Sequence, residues 1–275
     1  MERRIISLKE HQEIIYELLY SLDDFCQQHN IRYFLAHGTL LGAIRHHGII
    51  PWDDDADVMM ERDEYERFKK LIVKRPPAGY KAYCIESTKH YYYPFIKYGK
   101  LGTRLIETDW KCVPREGIGI NIDIFPIDGC PNNINEAKAY VVEEMNRRFS
   151  LIHYWCHLEK KDFVGFKQKI YYLYYRIRRM PLFLRPYLNR EYNKVREYKL
   201  AYSQYFFSFW TFYGSRNLFP KKCIEHLIKV SFGNRDLPIP EGYDEMLRIE
   251  YGDYMTPPSD KKKESTHKHD VFVTL

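Results

Sequence analysis

Apolar residues Ile15, Leu18, Leu19, Leu22 and Phe25, with Leu8 ahead of them, recur at helical spacing. Ser7-Leu8-Lys9-Glu10 in front of them reads as a capping box, so a helix is predicted over residues 7–29. The pattern then shortens. Residues 31–36 form a brief apolar run with β-branched and aromatic members, which predicts a strand. His37-Gly38-Thr39 reads as a turn, and residues 40–45 as a short helix that ends before Gly48. A strand is predicted over 55–60, then an amphipathic helix over 62–73 that Pro76-Pro77 stops. Strands over 80–86, 95–101, 104–107 and 119–125 complete a helix-flanked mixed sheet of α+β or α/β type.

After Pro131 the texture changes. Residues 135–157 read as a helix, followed by 163–180 and 190–212, all dense in Tyr, Phe, Arg and Lys. Another helix is predicted over 218–231, and the tail from Gly233 is loop-rich with one short helix at 243–251. The chain therefore divides into a mixed α and β core over 1–131 and a mainly helical, Tyr-rich and basic region over 132–275 that completes the same unit. The charge run at 260–264 reads as a solvated patch.

Composition narrows the classes. The 275 residues have room for one large domain or a domain with an appendage. A net charge of +6 suits a phosphate-bearing ligand or an anionic surface. Without a recognisable binding module it argues against nucleic acid as a partner. None of the six cysteines is spaced as a zinc ligand set, which fits the scattered reduced thiols of a cytoplasmic protein. The first residues carry no signal-peptide pattern, and no window reaches the ~18 apolar residues of a membrane span. A cytoplasmic location is expected, with a peripheral seat at the inner face of the membrane still open to it.

Three features carry candidate chemistry. Gly38-Thr39 stands between a strand and a helix, where a phosphate can approach a backbone lacking a side chain and meet helix N-terminal N–H groups. Asp53, Asp55 and Asp57 follow at two-residue spacing. In a strand Asp55 and Asp57 share one face with Cα atoms roughly 6.6 Å apart, so both can ligate one hard cation. Oxygen-only ligands select Mg²⁺ or Mn²⁺. Third, Asp123 lies in the apolar run Ile122-Asp123-Ile124-Phe125, where a lone carboxylate needs a partner: a shared metal, or a proton as general base. Each feature alone has a plainer reading, as a solvated acidic loop or a core Asp bonded to backbone. Their joint occurrence in this order favours a metal-dependent phosphotransferase site.

Residues 37–45, His-Gly-Thr-Leu-Leu-Gly-Ala-Ile-Arg, and residues 48–57, Gly-Ile-Ile-Pro-Trp-Asp-Asp-Asp-Ala-Asp, resemble the signature of the LicD family. Supporting matches are residues 122–128, Ile-Asp-Ile-Phe-Pro-Ile-Asp, and 251–255, Tyr-Gly-Asp-Tyr-Met. That family includes bacterial phosphocholine transferases and is related to the fukutin proteins. The resemblance implies a nucleotidyltransferase-like α+β fold in which Gly38 and Thr39 hold donor phosphate and Asp55, Asp57 and Asp123 bind Mg²⁺ and carry the chemistry. It implies a CDP-linked donor, CDP-choline first, and transfer of the phosphorylated head group to a hydroxyl of a cell-surface glycan such as lipopolysaccharide or teichoic acid, with release of CMP. In that setting Arg45, Lys97 and Arg115 are candidate phosphate contacts. Asp53 is a donor-side helper or a ligand, and Trp52 a packing residue.

Two alternatives stay open at this point: a nucleotidyltransferase adding NMP to a small molecule, and a CDP-ribitol or CDP-glycerol phosphotransferase. The basic aromatic segment 171–180 has two readings of its own. One is a core-facing helix with a solvated basic side; the other is a membrane-surface element serving a lipid-linked acceptor. Its tyrosines are also candidates to cage a quaternary ammonium.

Overall fold

The computed structural model describes residues 3–88, 91, 93–107, 118–155, 165–178, 180–210, 214–259 and 269–274. It is an α+β protein with seven α-helices among the described residues and a mixed main sheet. Helix α1 (Leu8–Gln28) starts at the predicted capping box, with Glu10 N–H donating to Ser7 Oγ and Ser7 N–H to Glu10 Oε2 at 2.9 Å. It buries Ile15, Leu18, Leu19 and Leu22 completely, whereas Leu8 is exposed. Strand β1 (Arg3–Ile5) precedes it.

Strand β2 (Phe34–Leu35) leads into α2 (His37–His46). The residues expected as a turn, His37-Gly38-Thr39, are in fact the first turn of this helix, closed by Leu40 N–H to Ala36 O at 3.0 Å. Gly42 lets the chain return close to α2, because a Cβ there would stand 2.4 Å from Gly48 O. Strand β3 (Asp57–Glu61) runs straight into α3 (Arg62–Lys74), which ends just before Pro76-Pro77. Strands β4 (Tyr80–Tyr83), β5 (Ile96–Lys100) and β7 (Asn121–Gly129) follow as predicted in kind.

The main sheet has the order β2-β3-β7-β5-β4, with β3 parallel to β7 and the other pairs antiparallel. The α3 helix and the β4–β5 hairpin make the crossover that the parallel pair requires. One face, with Val58, Met60, Ile96 and Ile124, packs on α1 and α3. The other face carries the site residues and then Met59, Phe125 and Phe95.

The second half departs from its predicted outline. Helices α4 (Ile134–Trp155) and α5 (Phe166–Arg178) match expectation over their described lengths. Helix α6 (Pro181–Lys194) lies where a break was expected, because Pro181 occupies the first turn, which needs no N–H donor. The expected helix over 190–212 stops at Lys194. Strand β8 (Tyr205–Phe207) then pairs with the end of β7 and with β9 (Phe219–Pro220). Phe206 and Phe207 point into different apolar clusters, so both are buried and the run lacks the polar alternation of a half-exposed strand.

The expected helix over 218–231 is also replaced, by β9, a short 3₁₀ turn and β10 (Leu227–Phe232). Strand β10 forms a hairpin with β11 (Arg235–Pro240) around Gly233-Asn234, where Gly233 takes φ 64°. Helix α7 (Tyr243–Tyr251) matches the predicted short helix. The chain ends in β12 (His269–Thr274), which lies between β1 and β6 (Thr103–Glu107) in a separate three-stranded sheet. Strand pairing among the described residues thus crosses residue 131 three times, at β7–β8, β6–β12 and β1–β12. Cys26, Cys84, Cys130 and Cys223 are buried free thiols. No helix among the described residues is long and apolar enough to cross a membrane.

Candidate active site

The site is a row of charged side chains across three strands. Asp57 of β3 is in register with Asp123 of β7, and Asp123 is in register with Lys97 of β5. Residues paired this way project from the same face of the sheet. The Lys97 ammonium lies 2.7 Å from Asp123 Oδ1, 3.1 Å from Oδ2 and 3.2 Å from Asn121 Oδ1. It also stands 5.6 Å from the ring centres of both Tyr93 and Phe95. Lys97, expected as a phosphate contact, is therefore held against a carboxylate.

The loop before β3 brings further carboxylates to this row. Asp53 N–H bonds Ile50 O at 2.9 Å, and Gln12 of α1 donates to Asp53 O at 2.7 Å. Carboxylate oxygens of Asp53, Asp54 and Asp55 can all lie within 4.8 Å of one another. Strand β3 begins at Asp57, so Asp55 sits in this loop and not in the strand predicted for it. Backbone pairing still reaches Ala56, whose carbonyl accepts from Asp123 N–H at 2.8 Å.

Helix α2 closes the other side. A Cβ on Gly38 would be 3.0 Å from Asp53 Oδ2, so the missing side chain admits the carboxylate to the helix N-terminus. The Gly38 and Thr39 amides belong to the first turn, where helix geometry leaves N–H groups directed outward. The buried Thr39 hydroxyl accepts from Asp57 N–H at 2.8 Å, and Ala36 N–H donates to Asp57 O at 3.0 Å. Both sides of the Asp57 backbone are pinned.

Crowded anions set the protonation of the site. Burial, then Asp55 and Asp54, push the Asp53 carboxyl up to about 8. Burial, then Asp55, Asp123 and Asp53, push Asp57 well above the ordinary carboxylate range, with Lys97 opposing. These groups share their protons as a cluster. Hard oxygen donors in surplus over the facing ammonium are the donor chemistry of Mg²⁺ or Mn²⁺, and the residues fit such an ion. The compact carboxylate group includes Asp54, which the sequence did not single out.

A buried pair behind the site was not legible in the sequence. His37 Nδ1 lies 2.5 Å from Glu250 Oε1 of α7, and both side chains are buried. Burial disfavours the charged imidazole, but the Glu250 charge and hydrogen bond, aided by Asp55, raise its pKa overall. His37 takes φ 48° and stands edge-on to Phe125. Only the fold reveals that these residues, 213 positions apart, meet.

The remaining predicted residues lie elsewhere. Arg45, two turns along α2 from Gly38, donates to Tyr254 O at 2.8 Å and to His46 Nε2 at 3.0 Å. It ties α2 to the Tyr-Gly-Asp-Tyr segment, and burial lowers its pKa. Trp52 packs on the main core and edge-on to His46, as a packing residue should. Asp128 is buried and held by Arg62, with Nε to Oδ1 at 2.8 Å, so it serves the fold. Arg115 lies outside the described residues. Tyr93 and Phe95 face the Lys97 ammonium, and Trp210 packs on both, with ring centroids 5.2–5.7 Å apart.

Comparison with known proteins gives the class first: the chain is an enzyme, a transferase of phosphate-containing groups. A family model described as LicD/FKTN/FKRP, nucleotidyltransferase domain, matches residues 30–172, and the chain belongs to this LicD family. It is 29% identical over 273 residues to the lipopolysaccharide cholinephosphotransferase LicD of Haemophilus influenzae, a match covering 98% of each chain. Two uncharacterized proteins match shorter stretches. That of Rickettsia typhi is 36% identical over 67 residues, covering 24% of this chain and 22% of its own. That of Rickettsia prowazekii is 35% identical over 66 residues, covering 24% and 25%.

Proposed function

We propose that the protein transfers phosphocholine from CDP-choline to a hydroxyl of a cell-surface glycan, on a nucleotidyltransferase-like core, with release of CMP. The observation that carries this reading is the carboxylate cluster formed by the loop at Asp53–Asp55 with Asp57 and Asp123 of the registered row. The full-length likeness to a protein named for cholinephosphate transfer supports the choice of head group.

Asp55, Asp57 and Asp123 would hold Mg²⁺, with Asp53 and Asp54 adjoining. An ion there would offset the charge of the donor diphosphate and of the departing CMP. The Gly38 and Thr39 amides receive phosphate oxygen at the N-terminus of α2. Thr39 and Ala36 fix the Asp57 backbone by the bonds described, so its carboxylate is preorganised. The acceptor oxygen attacks the phosphorus bearing choline, its bond to CMP oxygen breaks, and Asp123 takes the hydroxyl proton. Lys97 orients Asp123 through both carboxylate oxygens. Tyr93, whose ring lies 5.6 Å from the Lys97 ammonium, and Trp210, edge-on to Tyr93, are half-buried aromatic surfaces suited to the quaternary ammonium of the head group.

The test is CMP release from CDP-choline, CDP-ethanolamine, CDP-glycerol and CDP-ribitol, with NTPs in parallel. CDP-choline should be turned over fastest. Preference for a CDP-alditol would reassign the head group, and use of NTPs alone would contradict the phosphotransferase reading.

A further inference from the structure

We propose that α5 and the start of α6 form a docking surface for an anionic lipid bilayer. Along α5, Phe166, Ile170, Leu173, Tyr174 and Ile177 follow one another at the spacing of a single helical stripe. A stripe of this kind normally faces a core, as that of α1 does with Ile15, Leu18, Leu19 and Leu22 at 0% exposure. On α5 the same kind of stripe is 80%, 54%, 59%, 49% and 47% exposed in the order named. At the start of α6, Leu182 and Phe183 are likewise 73% and 49% exposed. The core-facing reading of this segment does not hold for α5.

Charge selects the occupant. Residues 165–190 contain seven Lys and Arg and no Asp or Glu. Two of these cations lie over rings of the same segment: Arg176 5.8 Å from the Tyr172 centroid and Arg178 5.8 Å from that of Tyr174. An apolar stripe bordered by arginine and aromatic side chains matches the boundary between acyl chains and phosphate head groups. A second copy of this chain would bring the same net positive segment against its like, which disfavours a homodimer on this face. A bilayer rich in anionic lipid satisfies both features, with each basic residue adding to the attraction. The surface would hold the enzyme where a lipid-linked acceptor is presented. The inference does not depend on the donor chemistry.

The test uses the full chain in vesicle flotation, with phosphatidylcholine alone and with added phosphatidylglycerol. The wild type should float with the anionic vesicles and not with the neutral ones, and binding should weaken as salt rises. Ile170→Glu with Leu173→Glu, at exposed helical positions, should lower binding about tenfold or more with an unchanged melting temperature. Lys167→Glu with Lys169→Glu should do the same by charge alone. Failure of the wild type to float with anionic vesicles would overturn the proposal. So would flotation of the Ile170→Glu, Leu173→Glu variant equal to wild type, or a dimer in solution that this variant abolishes while neither floats.

Discussion

Lys97 and Asp123 are directly registered across β5 and β7, with the ammonium 2.7 Å and 3.1 Å from the two carboxylate oxygens. The cation described in the row is thus committed to the carboxylate that the central strand contributes to the site. A direct donor contact would leave it differently placed. Removing the charge while keeping the stem separates the roles. Lys97→Met should lower turnover at least tenfold, raise Mg²⁺ affinity measured by calorimetry, and change donor KM little. A large rise in KM with unchanged Mg²⁺ affinity would instead make Lys97 a phosphate ligand.

Asp57 is burdened by three neighbouring carboxylates and by burial. Asp57→Asn relieves that repulsion. In chelator the variant should melt a few degrees above wild type, yet it should lose more than a hundredfold in CMP release and gain no stability on adding Mg²⁺. A variant that is less stable in chelator would show that the carboxylate is compensated in the metal-free fold.

The Asp53 carboxyl, pushed up to about 8, gives the metal-free protein a pH dependence of defined sign. Its folded pKa lies above the unfolded value near ~3.9, so between these values the folded state holds the extra proton. Stability should be highest at the acid end of that window and fall as pH rises towards 8. His37, with a raised pKa, acts in the same direction. Thermal melts in chelator from about pH 5.5 to about pH 8.5, across the upper part of that window, should show the decline. Asp53→Asn and added Mg²⁺ should each flatten it.

The His37–Glu250 pair is buried on both sides, so removing either partner leaves the other without its charge complement. His37→Gln and Glu250→Gln should each destabilise by about 3 kcal/mol, measured by urea unfolding. The double variant should cost clearly less than the sum. Additive losses would mean that the two residues act independently.

The extent to which this architecture was readable from the chain depends on distance. The local patterns around α1, α3 and the Asp-bearing strands are complete in sequence, since capping, periodicity and Pro76-Pro77 are all short-range signals. The same-face placement of Asp57 and Asp123 follows once both strands are recognised, but their register requires the crossover through α3 and the β4–β5 hairpin. Lys97 and Glu250 take their roles from partners far along the chain. Phe206 and Phe207 misled because a strand buried on both faces has no alternation to detect. Gly233-Asn234 did carry a local hairpin signal, overshadowed by the apolar run before it.

The most direct measurement of the central claim is CMP release from CDP-choline with a glycan acceptor, by wild type and Asp55→Asn, in Mg²⁺ and after chelation. The expected result is turnover by wild type that requires Mg²⁺, with phosphocholine appearing on the glycan, and loss of more than about a hundredfold in Asp55→Asn with its circular dichroism unchanged. Equal turnover in chelator, or an Asp55→Asn variant as active as wild type, would contradict the carboxylate-cluster account.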